Sequence, residues 1–141
     1  MRFRALTLAA AAAALALPLS GTSSAMETCK AIATSPHITK NGAITGLGGF
    51  ACKDAAYGMS VKVCIQEQLG GIAGTAWFTM SCATSPFPVG ATQLVTQSVT
   101  ITDVPVSSVF LRTTATGTNA NNQTAYAESA PYFWFNCACM P

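Results

Sequence analysis

Residues 59–82 read MSVKVCIQEQLGGIAGTAWFTMSC and decide the fold class. Two apolar runs flank Gly70-Gly71, a dipeptide that readily adopts the positive φ angles of a tight hairpin turn. A two-residue loop pairs Val63 with Phe78 and divides the side chains cleanly between two faces of the hairpin. The apolar face then holds Met59, Val61, Val63, Ile65, Ala76, Phe78, Met80 and Cys82, and the polar face holds Lys62, Cys64, Gln66, Thr75, Trp77 and Thr79.

A second hairpin is predicted at Asn41-Gly42, between residues 29–39 and 43–53, because Asn-Gly is a favoured two-residue turn. Pro36 restricts its first strand to an edge of the sheet. Residues 92–102 alternate apolar and polar side chains, and residues 109–116 and 131–139 are two further predicted strands. The intervening GTNANNQT stretch, residues 117–124, is predicted to be a polar loop, and residues 83–90, with two prolines, a stiff extended loop.

Helical periodicity is absent after the first 25 residues. Short strands separated by turn signals predict an all-β, immunoglobulin-like antiparallel β-sandwich of about seven strands, held by disulfides. The remaining 116 residues, 26–141, suit a single domain.

The N-terminus has the features of a secretion signal. Arg2 and Arg4 form a basic start, an apolar run follows to Leu17, and Ser23-Ser24-Ala25 provides small residues for cleavage before Met26. Residues 1–25 are therefore predicted to be a signal peptide, and residues 26–141 a secreted, extracellular domain. The apolar run is shorter than the roughly 20 residues that a membrane span needs.

Six cysteines remain, namely Cys29, Cys52, Cys64, Cys82, Cys137 and Cys139. In an oxidising compartment an even number of cysteines predicts up to three disulfides, and their spacing does not suit a metal site. The hairpin registers allow a Cys29 to Cys52 bridge through a small bulge at Gly48-Gly49. They forbid a Cys64 to Cys82 bridge, and no pairing of all six satisfies both registers.

The charges of residues 26–141 balance, with five basic and five acidic side chains. A neutral chain has no basic stripe for a nucleic acid backbone and no field that would attract an anionic membrane. Nucleic acid and membrane are therefore not expected as partners.

A catalytic site is not predicted. The single histidine, His37, has no partner that its spacing identifies, and general acid–base catalysis usually needs a second group. The five acids are scattered, although Asp54 and Glu128 could meet in the folded chain. We expect neither a cofactor nor enzymatic activity.

The aromatic residues suggest a binding surface. In the last predicted strand, Phe133 and Phe135 fit the core, so that the alternate residues point away from it. Trp77 lies on the polar face of the first hairpin. The predicted binding residues are Trp77, Trp134, Tyr132, Gln66 and Asn136, and the alternative is that loops or the neighbouring sheet cover them.

The alanine-rich signal, the strands VKVCIQ (residues 61–66) and WFTMSC (residues 77–82), and the late RTTA stretch (residues 112–115) resemble the small secreted disulfide-bonded β-sandwich proteins of actinobacteria. Within that set the chain resembles the adaptor subunits of umbrella-type toxin particles, which implies a protein–protein role. It is also similar to the antitumour chromoprotein carriers, which have fewer cysteines.

These observations favour a non-catalytic secreted binding or adaptor protein that engages another extracellular protein. One alternative is a carrier of a small apolar ligand, in a cleft lined by Phe78, Phe87, Phe110 and Trp134. A secreted protease inhibitor, which would also act by binding a protein, is another alternative. A hydrolase would need His37 beside a Ser, Thr or acidic side chain.

Overall fold

The computed structural model describes residues 29–69, 76–86, 90–103 and 109–134. These residues form strands and no helix, and they pack as two antiparallel sheets, which confirms the predicted disulfide-stapled sandwich. The strands are β1 (Cys29–Ala33), β2 (His37–Ile38), β3 (Ile44–Tyr57), β4 (Ser60–Leu69), β5 (Phe78–Thr84), β6 (Ala91–Ile101), β7 (Val109–Thr118), β8 (Thr124–Glu128) and β9 (Tyr132–Trp134). The predicted signal peptide, residues 1–25, lies outside the described residues.

Sheet A contains β1 and β2 along one side of β3, with β6 along the other side. Sheet B has the order β5, β4, β7, with β8 and β9 both along the outer side of β7. The two breaks, between β1 and β2 and between β8 and β9, contain Pro36 and Pro131, which lack an N–H for the ladder. If each broken pair counts as one strand, the described chain has seven strands, as predicted. The strand β5 lies beside β4, whereas the constant-type immunoglobulin arrangement places the fourth strand in the opposite sheet.

The core lies between the inner faces of the two sheets. Its side chains are buried because alternate residues of each strand point inward, which for a Val, Leu or Phe is worth about 1.5–3 kcal/mol. The predicted inner positions of β4 are confirmed, and β6 alternates as predicted over most of its length. Strand β7, predicted only as a strand, buries every second residue from Val109 to Gly117. The core contains Ile44, Phe50, Cys52, Ala56, Met59, Val61, Val63, Ile65, Val99, Ile101, Val109, Leu111 and Ala115.

Strands β3 and β7 of the two sheets lie close together at Gly117. A Cβ atom added to Gly117 would lie 2.1 Å from the ring of Phe50, so that only a glycine fits at this position. The Phe50 side chain fills the space and is fully buried.

The predicted register of the first hairpin is wrong. Ile65 lies opposite Ser81 and Cys64 lies opposite Cys82, and a bulge then places Gln66 opposite Thr79. The strands end at residue 69 and resume at residue 78, so that the connection is longer than the two-residue turn expected at Gly70-Gly71. Residues 70–75 themselves lie outside the described part of the chain.

This register forms the disulfide that the predicted register forbade. Relative to the prediction, the segment around Cys82 is shifted by an odd number of residues, and an odd shift moves a side chain to the other face of a sheet. Cys82 therefore shares the outer face with Cys64, and the two form a disulfide with a Cα–Cα distance of 4.1 Å.

The Asn41-Gly42 hairpin is confirmed, but its loop contains three residues. The Gly42 N–H donates to the Thr39 carbonyl at 3.0 Å, and the Thr39 N–H donates to the Ala43 carbonyl at 2.8 Å. Gly42 has a φ of 80°, which is typical of the left-handed residue that closes a three-residue hairpin loop.

The Cys29–Cys52 disulfide is confirmed, with a Cα–Cα distance of 4.0 Å. The two cysteines are directly opposite each other because two one-residue differences from the predicted register add up. The loop at Asn41-Gly42 contains one residue more than predicted, and the pairing shifts by one further residue between Ala33 and His37. The shift lies at the Pro36 break, and not at Gly48-Gly49 as predicted. Cys137 and Cys139, and with them any third disulfide, lie outside the described residues.

The predicted polar loop over residues 117–124 is shorter than expected. Gly117 belongs to β7 and Thr124 begins β8, a strand that the sequence did not predict. The loop between them is organised by Asn119, which is buried. Its Oδ1 accepts hydrogen bonds from the N–H groups of Asn121 and Gln123 at 3.0 Å and 3.1 Å.

In the described part of the chain there is no helix of the length and apolar character that crossing a membrane would require.

Candidate functional site

The outer face of sheet B carries a group of aromatic and charged side chains around Arg112. Strand β7 buries Leu111 and Thr113, so that Arg112 between them points out of the sandwich. Partners for this side chain come from β4, β8 and the residue before β5. We call this surface the Arg112 face, and it comprises Gln66, Trp77, Thr79, Phe110, Arg112, Tyr126, Glu128 and Phe133.

The Arg112 guanidinium is held on three sides. It forms an ion pair with Glu128, with 2.6 Å between Nη1 and Oε2. Its Nε donates to Gln66 Oε1 at 2.9 Å, and its Cζ lies 4.3 Å from the centre of the Trp77 ring. Only 16% of the Arg112 side chain is exposed, so that these contacts fix it in one position.

The contacts of Arg112 continue to both edges of sheet B. On one side, Gln66 Nε2 donates to Thr79 Oγ1 at 3.3 Å. On the other side, the Tyr126 hydroxyl donates to Glu128 Oε2 at 3.2 Å. A line of side-chain contacts thus crosses β5, β4, β7 and β8 and holds the polar groups of the surface in place before any partner binds.

Tyr126 remains a neutral hydrogen-bond donor over the physiological pH range. Its partial burial raises the pKa above the ordinary 10.0, and the hydrogen bond to Glu128 and the charge of that carboxylate raise the pKa further. The charge of Arg112 acts in the opposite direction. With 58% of its surface exposed, Tyr126 can contact a partner with both its ring and its hydroxyl.

Two phenylalanines form the apolar flank of the Arg112 face. Phe110 and Phe133 lie on paired residues of β7 and β9, and their ring centroids are 5.0 Å apart at an angle of 53°. They are 39% and 51% exposed. The prediction that Phe133 lies in the core is therefore wrong.

The predicted binding residues separate into two groups. Trp77 and Gln66 lie together on the Arg112 face. Trp134 lies opposite the buried Val109 and packs against the core. The pairing with β7 shifts by one residue at the break between β8 and β9, and this shift turns Trp134 to the inner face. Tyr132 follows the same alternation and is 37% exposed at the sheet edge. Asn136 lies outside the described residues, as does Phe135, the second phenylalanine predicted for the core.

Sequence reasoning missed Arg112, Tyr126 and Glu128 as members of the site. The alternation of the predicted strand over residues 109–116 does place Arg112 on the polar side, and this signal could have identified it. Tyr126 and Glu128 could not be placed without β8, whose inward residues are alanines that give a weak apolar pattern.

The residues considered for catalysis do not come together. His37 is exposed on the edge strand β2 opposite Thr45, and its side chain forms no hydrogen bond within the described residues. Asp54 lies in sheet A and Glu128 in sheet B. In the described ranges, no group of three or more His, Cys, Asp or Glu side chains is placed to hold a metal ion.

The residues considered for an apolar cleft also lie apart. Phe110 is on the outer face of sheet B, whereas Trp134 packs against the core. Phe78 begins the edge strand β5 and is 54% exposed. Phe87 lies outside the described residues.

Comparisons with known proteins add little. No protein-family model and no curated protein matches the sequence. Among solved structures, the chain is similar to β-glucosidase 3B from Thermotoga neapolitana in complex with α-D-glucose, with 7% sequence identity and a TM-score of 0.34. The similarity covers 77% of this chain and 17% of the glucosidase, and so weak a likeness carries no argument about function.

Proposed function

We propose that this protein is a secreted, non-catalytic binding or adaptor protein that engages another extracellular protein through the Arg112 face. The observation that carries the proposal is the fixed position of Arg112 between Trp77, Gln66 and Glu128, on a sheet face that also exposes Tyr126.

The composition of the Arg112 face is that of a protein interface. Trp, Tyr, Phe and Arg are enriched at the centres of interfaces, and Trp, Tyr and Arg contribute most of the binding energy there. Tyr126, Phe110 and Phe133 give it exposed apolar area. Because Arg112 and Tyr126 are already held by their neighbours, a partner that binds would lose little side-chain entropy on this surface.

The polar groups of the Arg112 face favour binding over catalysis. Glu128 accepts hydrogen bonds from both Arg112 and Tyr126, and Gln66 is shared between Arg112 and Thr79. A general acid or base has to be free to exchange a proton with a substrate. These groups satisfy each other instead, which suits a surface of fixed shape.

The disulfides, the N-terminal sequence and the charge balance support an extracellular protein as the partner. Two disulfides suit an oxidising environment, and the N-terminal sequence suits export, so that the partner is extracellular. The balanced charge argues for short-range contacts with a protein surface in preference to nucleic acid or membrane. The resemblance to secreted actinobacterial adaptor subunits supports the same role.

The test is capture of a partner from culture medium by the immobilised mature chain, followed by affinity measurement on matched variants. Tyr126→Ala should weaken binding by about 2 kcal/mol, the usual loss at an aromatic hot spot. Tyr57→Ala is the control, because Tyr57 is 66% exposed but lies in sheet A. Recovery of the chain without any partner, or equal losses for the two variants, would contradict the proposal.

A further inference from the structure

Among the described residues, β6 is an edge strand of sheet A. Strand β6 spans Ala91–Ile101, and its described pairing is with β3 on one side only. None of its 11 residues is charged and none is proline. An edge strand of this kind exposes a row of unpaired backbone groups to which another strand can pair.

Side-chain contacts show which backbone groups of β6 point to the open side. The N–H and the carbonyl of Leu94 both bond to Thr92 Oγ1, at 3.4 Å and 3.1 Å. The Ser98 carbonyl accepts a hydrogen bond from Gln97 Nε2 at 2.8 Å. Since alternate residues of an antiparallel strand turn their backbone groups to the same side, Leu94, Thr96, Ser98 and Thr100 present theirs to the open edge.

The other edges of the described sheets carry the features that prevent strand addition. The β1–β2 edge has Lys30 and the break at Pro36, and the β8–β9 edge has Glu128 and the break at Pro131. The edge strand β5 has seven residues and a bulge beside Ile65. Charges, prolines, bulges and short strands protect sheet edges in natural proteins. Strand β6 has no charge and no proline, it is 11 residues long, and it pairs with β3 in unbroken register from Leu94 to Ile101, because the register shift of this ladder, between Ala51 and Ala56, lies at the start of β6.

We propose that β6 pairs antiparallel with β6 of a second copy of this chain, so that sheet A continues across a two-fold symmetric dimer. The proposal concerns a surface distinct from the Arg112 face. Strand addition of this kind forms main-chain hydrogen bonds along the whole contact between the two β6 strands, which we call the seam. A two-fold axis lets the same patch of both copies serve as its own partner.

The sequence of β6 suits pairing with itself. In the two-fold arrangement, Leu94, Thr96, Ser98 and Thr100 of one copy pair with the same four residues of the other copy. Their exposed side chains then extend the outer face of sheet A across the dimer. Across the seam, Thr96 meets threonine or serine hydroxyls, which can hydrogen-bond between strands. No like charges oppose each other, because β6 contains no charge. These features select a second copy as the occupant of the edge.

The experiment measures the oligomeric state of the mature chain by sedimentation from micromolar to millimolar concentration. A concentration-dependent dimer is expected. Thr96→Lys and Ser98→Lys each place a charge at the seam, opposite its own symmetry mate or nearly so, and each should weaken dimerisation about tenfold or more. Thr116→Lys is the matched control, because Thr116 is exposed on the outer face of sheet B, and it should leave the dimer intact.

Amide hydrogen exchange identifies the seam. In the dimer, exchange at Thr96, Ser98 and Thr100 should slow as the concentration rises, while the intervening residues, which bond to β3, are protected at every concentration. A chain that is monomeric at all concentrations would overturn the proposal, and so would open-ended aggregates in place of a dimer.

One more variant distinguishes edge pairing from stacking of two copies through the outer face of sheet A. Ile32, Leu47 and Leu94 are partly exposed on the outer face of sheet A and border a small cavity of about 130 Å³. If two copies stacked through this face, Leu47→Lys would dissociate the dimer, and amide exchange at Thr96, Ser98 and Thr100 would not slow as the concentration rises, because stacking leaves the backbone groups of the β6 edge unpaired. That result would overturn edge pairing.

Discussion

The two faces of sheet B are built from the same five strands and have opposite chemistry. On the inner face Val61, Val63 and Leu111 are fully buried and pack against sheet A. On the outer face Arg112 and Glu128 bond to each other and to their polar neighbours. Adjacent residues of one strand, such as Leu111 and Arg112, therefore lie in separate environments, and under the proposed function they divide stability and recognition between them. Substitutions on the inner face should therefore change unfolding, and those on the outer face should change binding.

The two tryptophans give the largest expected contrast. Trp134→Ala removes a ring that packs against the core and should lower the free energy of unfolding by about 3 kcal/mol, through lost contacts and the cavity left behind. Trp77→Ala loses mainly the stacking on Arg112, worth about 1 kcal/mol or less. Denaturant unfolding of the two variants measures both values.

Binding should show the reverse order. Trp77→Ala should weaken partner binding by about 2 kcal/mol, as expected for an aromatic hot spot, while refolded Trp134→Ala should bind nearly as well as the parent. If Trp77→Ala unfolds as easily as Trp134→Ala, the separation of the two faces is wrong.

The fold class could be predicted from the sequence because alternation and turn residues act locally. Val61, Val63 and Ile65 alternate with polar residues, and this pattern alone places them inside. The Cys29–Cys52 bridge followed from an Asn-Gly turn whose loop differs from the predicted one by a single residue. A small error close to a turn leaves the pairing of the strands recognisable.

The register of β5 could not be predicted, because it depends on the length of a connection that the sequence did not define. Gly70-Gly71 has the composition of a two-residue turn, yet β5 begins only at Phe78. The resulting shift moved Cys82 to the outer face. The face of Trp134 depended in the same way on the break before β9, which inserts one extra residue relative to β7.

Two glycine substitutions test whether the inner and outer faces differ in the space they leave for a side chain. Gly117 belongs to the inner face of sheet B, and Gly117→Ala would place a Cβ 2.1 Å from the Phe50 ring. This overpacking should cost about 1–3 kcal/mol of stability. Gly49→Ala is the control, because its Cβ would point outward with its nearest atom 3.3 Å away, and its effect should be below about 1 kcal/mol. Thermal unfolding distinguishes them, and equal losses would contradict the assignment of faces.

Removing one buried hydroxyl group should have a smaller effect of the opposite sign, namely a gain in stability. Thr113 is fully buried on the inner face of β7, and its Oγ1 has no hydrogen-bond partner among the described residues. Thr113→Val keeps the shape and removes the unsatisfied group, so that stability should rise by about 1 kcal/mol. The control Thr116→Val changes an exposed residue of the outer face and should shift stability by less than about 0.5 kcal/mol. A loss of stability in Thr113→Val would show that the hydroxyl has a partner.

The smallest expected effect is a shift in the titration of Tyr126, measured by NMR of its ring carbons. Its pKa is raised, first by partial burial and then by the hydrogen bond and charge of Glu128. Because the folded chain holds this proton more tightly than the unfolded chain, the stabilisation is complete below pH 10.0 and is lost as the pH rises through the folded pKa.

Glu128→Gln removes the negative charge and leaves Arg112 unneutralised beside the phenol, so that the pKa of Tyr126 should fall. Stability at neutral pH should change by only about 0.5 kcal/mol, because half of the Glu128 side chain is exposed and surface ion pairs contribute little. An unchanged pKa at Tyr126 would mean that Glu128 does not hold the tyrosine, and that the line of contacts across the outer face ends at Arg112.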